Sequence, residues 1–417
     1  MDRALEARLS SLKTAATRLR LLHAHDALLI LKHSLSIPSL LHNLRSSFCC
    51  GHRLLKEFDL ALRTSLSDIV NVSFDDIQWL QATLPVRDGG LGIRSCNQLA
   101  PSAFLASASG CSDLTLAILP PRLFTIVDPL IDQARLEWEV LSGVSCSVVM
   151  SPGSQRAWDS PVIAESRRTL FFSASDDFTL ARLHAVTAPH AGDWLKAPPL
   201  TAVGLRMDND VIRIAVGLRL GASLCNPHSC SCGTVVDGRG VHGLSCIRSA
   251  GRHLRHSLLN DIVCRALGRA GVAAVREPTG LLVGSGMRPD GATLVPWCRG
   301  KCMAWDATTP DTLAASHLQS TRNAAGAAAA HAAALKLQKY SALATTHIVI
   351  PLAVETLGVW NDEGLGFVRE LGRRTSLITN DPRETSFLFQ RLSVAVQRGN
   401  AASCLGSLPP SISASDA

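Results

Sequence analysis

Arg276-Glu277-Pro278, Arg288-Pro289-Asp290, Ala304-Trp305-Asp306-Ala307-Thr308 and Lys336-Leu337-Gln338-Lys339-Tyr340 follow one another in a single stretch, and their reading decides the fold of the C-terminal half. The order is acid, Pro-Asp, an apolar run ending in an acid, then a Lys-x-x-Lys-Tyr helix end. Hydrolysis of a phosphodiester on a divalent cation needs that inventory. Two carboxylates converge on the ion, a third positions water or a second ion, and a lysine offsets charge near the attacked phosphate. Mg²⁺ takes one or two carboxylates and fills its shell with waters and phosphate oxygens, so a dedicated cage is not expected. Arg-Pro-Asp-Gly is also good turn chemistry by itself. The ordered set carries the reading, not any one motif.

The apolar runs around these acids set the local expectation. Val272–Val275 is a short apolar stretch, Leu281–Val283 precedes a turn, Thr293–Val295 is a strand, and Cys302–Trp305 is a second strand ending at Asp306. Ala324–Leu343 is an alanine-rich helix, with Lys336 and Lys339 one turn apart on it. His347–Ile350 and Leu352–Val354 form a buried strand pair or one bent strand. Two helices fill Gly364–Arg398, with a loop near Asp381-Pro382. Upstream, Ser249–Ala270 is an amphipathic helix whose apolar face is Leu258, Leu259, Ile262, Val263, Ala266 and Leu267. Its other residues include Arg252, Arg255, His256 and Arg265, a basic surface of the kind that binds a nucleic-acid backbone, or simply a solvated face.

Before that helix lies Cys225-Asn226-Pro227-His228-Ser229-Cys230-Ser231-Cys232-Gly233, followed by His242 and Cys246. Zinc sites pair a tight Cys knuckle with a later His or Cys, and Gly233 suits such a knuckle. The Cys230-x-Cys232 gap is one residue short of the usual two. Either Cys225 or Cys230 therefore completes a set with Cys232, His242 and Cys246, and His228 is a weaker candidate.

The whole chain has 417 residues, 47% hydrophobic and 18% charged, with net charge +7. That excludes a disordered polyelectrolyte and suits a polyanionic partner. Thirteen cysteines are too unevenly spread along so long a chain for a secreted disulfide scaffold. Met1-Asp2-Arg3 opens no signal-peptide core, and no apolar run approaches the ~20 residues of a membrane helix. The expectation is a soluble, intracellular protein.

The N-terminal half reads as helical. One helix is expected over residues 1–36, a second over Pro38–Ser46, a third over His52–Val70 and a fourth over Cys96–Ala108. Leu84–Arg94, with Gly89, Gly90 and Gly92, lacks the Gly-Lys-Ser/Thr ending of a phosphate loop and is expected to be a turn. Residues 112–220 carry no recognisable chemistry and are expected to be a helical linker region, including a helix over Leu130–Leu141 and another leading to Gly221.

Two stretches resemble known proteins. Leu84–Arg94, with Leu99-Ala100 and Ala103–Ser107, is similar to the segment that follows the polymerase core in non-LTR retrotransposon reverse transcriptases, and Leu28–Arg45 is similar to their helical thumb. No (F/Y)-A-D-D motif occurs, so polymerisation by that family's site is not expected. Residues 225–400 resemble the restriction-like, PD-(D/E)XK-type endonuclease domain of R2-type members. The resemblance implies an α+β multi-domain protein: a thumb-like remnant at 1–111, the linker region at 112–220, a zinc knuckle at 221–250, a C-terminal α/β restriction-endonuclease-like core at 251–400 and a disordered tail at 401–417. It further implies a fragment lacking the polymerase core. Asp290 and Asp306 would bind Mg²⁺, and Glu277 would be the additional acid. Thr308 stands where the motif lysine belongs, so Lys336 or Lys339 would replace it, with Tyr340 completing the local motif. Zn²⁺ would be structural. Arg252, Arg255, His256, Arg265 and Tyr340 would contact nucleic acid. The partners would be DNA and the element's RNA, the place the nucleus, and the reaction a nick that primes reverse transcription. Two other classes compete: a zinc-containing nucleic-acid binder without chemistry, and a helical interaction protein whose motifs arise by chance.

Overall fold

The computed structural model describes residues 1–120, 128–282 and 287–409. The chain forms two compact units, Met1–Ala174 and Ser175–Ala417, and is of the mixed α+β class, mainly helical with small sheets.

The first unit is built of α1 (Asp2–Leu19), α2 (Ala24–Ile30), α3 (Ile37–Ser46), α4 (Arg53–Val70), α5 (Asp76–Thr83), α6 (Cys96–Gly110), α7 (Ser112–Ile118), α8 (Pro129–Ser142) and α9 (Gln155–Phe172). The single helix expected over 1–36 is broken at Arg20–His23, although no Gly or Pro falls there. Packing decides it: α1 and α2 both lie on α4, which requires the chain to turn between them. Pro38 stands in the first turn of α3, where its missing N–H costs nothing. Leu84–Arg94 is a turn leading into α6. A side chain at Gly90 would strike the Leu84 carbonyl at 2.1 Å, so the loop folds back too tightly for any other residue. Asp59 of α4 secures the start of α6, accepting from the Ser95 hydroxyl at 2.6 Å and the Cys96 amide at 2.7 Å.

Residues 112–220 are not a linker. α8 and α9 pack on α6, and Trp138 meets Trp158 edge to face at 5.0 Å. The remainder belongs to the second unit, because α11 is buried against α17. Pro121 and Val283, part of the expected punctuation and of an expected apolar run, lie outside the described residues.

The second unit comprises α10 (Asp177–Val186), α11 (Asn209–Leu220), the hairpin β1 (His228–Ser229) and β2 (Val235–Val236), α12 (His242–Ser245), α13 (Ala250–Arg269), β3 (Ala274–Arg276), β4 (Gly291–Thr293), β5 (Met303–Thr308), α14 (Ala315–Thr321), α15 (Ala327–Lys339), β6 (Ile348–Ala353), α16 (Asp362–Thr379) and α17 (Glu384–Leu405). A four-stranded sheet runs β3-β4-β5-β6, antiparallel except for the parallel pair β5–β6. Parallel neighbours require a crossover, and α14 and α15 supply it. The expected disordered tail does not begin at 401: α17 continues to Leu405 with Ala401 and Cys404 buried, and residues 410–417 lie outside the described residues.

Alternation along β5 assigns its two faces. Met303, Trp305 and Ala307 enter a core shared with α13, α16 and α17. Ala304 faces the other way with Ala292, Tyr340 and Leu343, which places Asp306 beneath α15. The strand does not end at Asp306 but runs on to Thr308, because its pairing with β6 continues through Thr308 and Ala353. His347–Ile350 and Leu352–Val354 merge into one strand. Pro351 is tolerated within it because β6 is an edge strand. Gly291 is required by close approach: a side chain there would lie 2.1 Å from the Trp305 ring. Among the described residues no helix is long and apolar enough to cross a membrane.

Candidate functional site

Two groups of chemically active side chains form in the second unit. The first is Cys230, Cys232, His242 and Cys246, whose ligand atoms lie within 4.8 Å of one another. The β1–β2 hairpin explains why. Its turn holds Cys230 and Cys232, with Gly233 at φ +92° and the Gly233 amide donating to the Cys230 carbonyl at 2.8 Å. His242 opens α12 and Cys246 follows its last turn. The Cys230 and Cys246 sulfurs are 3.8 Å apart, and Cys232 Sγ lies 3.1 Å from His242 Nε2. A tetrahedral ion with ~2.3 Å bonds to sulfur sets its thiolates about 3.8 Å apart. The cluster can hold a metal such as zinc. Hydrogen bonds from the Thr234 hydroxyl and backbone, and then His242, lower the Cys232 thiol to about 6, which favours the thiolate a metal needs.

Cys225 falls outside this group. It precedes β1 at the open end of the hairpin, where its thiol faces the Asp237 carbonyl at 3.5 Å and burial raises its pKa. The fourth ligand position thus goes to Cys230. His228 is also apart, its ring nitrogens facing the Asn226 and Ser407 carbonyls.

The second group surrounds β4 and β5. The register Gly291↔Trp305 and Ala292↔Ala304, extended by one residue, sets Asp290 across from Asp306. Asp290 Oδ2 accepts from the Ala307 amide at 2.7 Å and meets His256 Nε2 at 2.8 Å. Burial works to raise the Asp290 carboxyl, but His256 and the Ala307 amide outweigh it and hold it below the ordinary value. In return the Asp290 hydrogen bond raises His256. Asn260, one helical turn beyond His256, accepts from Trp305 Nε1 at 2.9 Å, and its Nδ2 lies 3.4 Å from His256 Nε2.

Asp306 is 3% exposed. The Lys336 ammonium contacts its Oδ1, and the Tyr340 hydroxyl meets its Oδ2 at 2.5 Å. Lys336, in the last turn of α15, and Tyr340, its C-cap, are four residues apart and so reach the same carboxylate. The start of α15 is fixed by buried Glu355, whose Oε1 accepts from the Ala328 amide at 3.0 Å and the Ala329 amide at 3.1 Å.

Three expected site residues stand elsewhere. Lys339 is exposed, its ammonium 4.7 Å from the centre of the Tyr340 ring rather than on Asp306. Glu277 adopts φ +47° and donates its amide to the Asp290 carbonyl at 2.9 Å, while its carboxylate, 61% exposed, points to Arg288 at 3.9 Å. Glu277, Asp290 and Asp306 do not gather within one ion's reach among the described residues. Arg265 is exposed and faces Asp261 at 3.6 Å.

Two residues expected to touch nucleic acid are buried. Arg255, 1% exposed, donates to the carbonyls of Gly399 and Leu244 at 3.2 and 2.9 Å, to Asn400 Oδ1 at 3.2 Å and to Ser403 Oγ at 2.8 Å. It joins α13 to α17, and both of its terminal nitrogens are engaged in that junction. Tyr340 is 0% exposed, and burial and then Asp306 raise its phenol far above the ordinary value. It supports Asp306 instead of binding a partner. Asn260 and Glu355 escaped the sequence reading. The four-residue His256–Asn260 spacing was the one local signal for Asn260, whereas nothing near Glu355 announced a helix cap.

The His256–Asp290 pair gives a signed pH expectation. His256 is raised in the fold, so its contribution to stability is full below the ordinary 6.5 and is lost as pH rises through the raised value. The thermal midpoint of the native chain should therefore exceed that of a His256→Gln variant by a margin that shrinks as pH rises through that window. His256 is half exposed, so the margin is small, and a constant margin would refute the pairing.

No protein-family model matches the chain, and no curated protein matches its sequence.

Proposed function

We propose that this protein is a retrotransposon-derived, metal-dependent DNA endonuclease that nicks target DNA for target-primed reverse transcription. The observation that carries the reading is the meeting of Asp306 with Lys336, a lysine delivered by the crossover helix to the acid whose strand has Thr308 at the motif position. Asp290 stands opposite on the neighbouring strand. Two acids from adjacent strands suit one divalent cation such as Mg²⁺, and Asp290 and Asp306 would hold it. When bound, the cation supplies Lewis acidity at phosphorus-bound oxygen and acidifies water.

The chain's own groups do the rest. Lys336 carries positive charge beside Asp306, where it can offset the charge that builds on the phosphate. Tyr340 fixes the orientation of the Asp306 carboxylate. His256 holds a proton at Nε2 against Asp290, with Asn260 and Trp305 beside it. The Cys230, Cys232, His242, Cys246 cluster would hold structural Zn²⁺. DNA in the nucleus is the partner this reading implies, with the element's RNA as a second.

A second reading has its own support: a zinc-containing nucleic-acid-binding protein without chemistry. Glu277 stays with Arg288 in solvent, and Asp306 is almost fully covered. Incubation with supercoiled plasmid and Mg²⁺ or Mn²⁺ separates the two. Nicking by the native chain supports the nuclease, and salt-sensitive binding without nicking supports the binder.

A further inference from the structure

Past the end of β5 the sheet opens into a cleft of about 430 Å³ whose lining includes Ile247, Arg252, His253, His256, Thr309 and Lys336. No carboxylate lines it. Arg252 and His253 are exposed on the first turns of α13, and neither has an ion-pair partner among the described residues. The Thr309 hydroxyl oxygen is buried at the cleft without a protein partner, a donor still to be used. Ile247 follows Cys246 directly and is 83% exposed, a bare apolar side chain at a cationic rim.

We propose that this cleft is a backbone subsite for a nucleic-acid strand, in which Arg252, His253 and Thr309 hold a phosphate next to the one presented to Asp306 and Lys336, while Ile247 packs on the adjoining sugar or base. The proposal rests on the nuclease reading above and adds where the strand continues. The chemistry decides the class of ligand. His256 and Lys336 are spoken for by Asp290 and Asp306. Arg252 and His253 face the cleft with no carboxylate partner among the described residues and select a polyanion. A naked isoleucine beside them suits the apolar flank of a nucleotide more than a free inorganic anion. The volume fits about one nucleotide of a longer strand.

The two kinds of contact separate experimentally. In the full chain carrying Asp290→Ala, so that cleavage does not intervene, the affinity for a labelled DNA duplex is measured across salt concentration. Arg252→Ala is expected to lower the slope of log affinity against log salt by about 1, the loss of one phosphate contact. Ile247→Ser is expected to weaken binding several-fold with the slope unchanged. Both residues are exposed, so folding should survive either change. Salt-sensitive binding by the parent with the same slope and affinity in both variants overturns the subsite and leaves the nucleic-acid reading standing. Salt-insensitive binding or none by the parent overturns both.

Discussion

Removal of metal from the Cys230, Cys232, His242, Cys246 cluster is expected to unfold the hairpin from Cys225 to Val236 while α12 and the four-stranded sheet stay folded. The strands β1 and β2 have two residues each, and the packed cluster they enclose consists of Val236 and the cysteines themselves. Hairpins so short are marginal in water, so a metal held by these ligands would be expected to supply cohesion. Structural zinc contributes roughly 10–16 kcal/mol in small metal-organised domains, an amount no contact in this hairpin replaces. Elemental analysis should give one zinc per chain, reduced to near zero by Cys246→Ala. Chelation should open residues 225–236 to proteolysis and to hydrogen exchange, with protection in β4 and β5 unchanged. A chain without bound metal, or one whose hairpin protection ignores chelator, contradicts the assignment. Cys225→Ala provides the internal control, because its thiol lies outside the cluster and should leave metal content intact.

Arg255→Ala is expected to cost about 3–5 kcal/mol of stability, the scale of opening a buried cavity and stranding several buried neutral acceptors at once. The guanidinium joins Leu244, Gly399, Asn400 and Ser403. Its stem also fills the gap beside Gly399, where a side chain would lie 1.9 Å from Arg255 Cγ. Truncation opens a cavity and strands several buried acceptors at once. Arg255→Lys should recover only part of the loss, since an ammonium cannot reproduce the planar fork. Urea unfolding at fixed salt measures both variants. A stability change below ~1 kcal/mol together with a fall in DNA affinity would return Arg255 to the nucleic-acid surface.

The contrast between Arg255 and His256 shows what the sequence can disclose. Both belong to one basic run, Arg252–His256, and periodicity places that run on α13. Burial of Arg255 is decided by Gly399, Asn400 and Ser403, whose approach depends on glycines at the α13–α17 crossing and leaves no local trace. The acids were legible for the opposite reason. Pro-Asp before a short strand and an acid on the next strand are local patterns, and antiparallel pairing then sets Asp290 across from Asp306. Glu277 shares the spacing but not the outcome, because its left-handed backbone turns the carboxylate toward solvent. Choosing Lys336 over Lys339 required the rotation of α15 about its axis, which Glu355 and the edge strand β6 govern from outside the helix. The break at Arg20–His23 was illegible because no residue there breaks helices. It arises from α1 and α2 sharing α4.

The most direct test of the account is nicking of supercoiled plasmid in Mg²⁺ or Mn²⁺ by the native chain and by Asp290→Ala, Asp306→Ala and Lys336→Ala. The account predicts a nicked product from the native chain and a fall of at least ~100-fold in each variant, the scale of losing a metal ligand or a charge-stabilising donor. Zinc content should stay unchanged and each variant should still unfold cooperatively, at a lower midpoint where a buried partner of Asp306 or Asp290 is lost. Nicking that survives loss of either aspartate, or a native chain that binds DNA and never nicks it, contradicts the endonuclease.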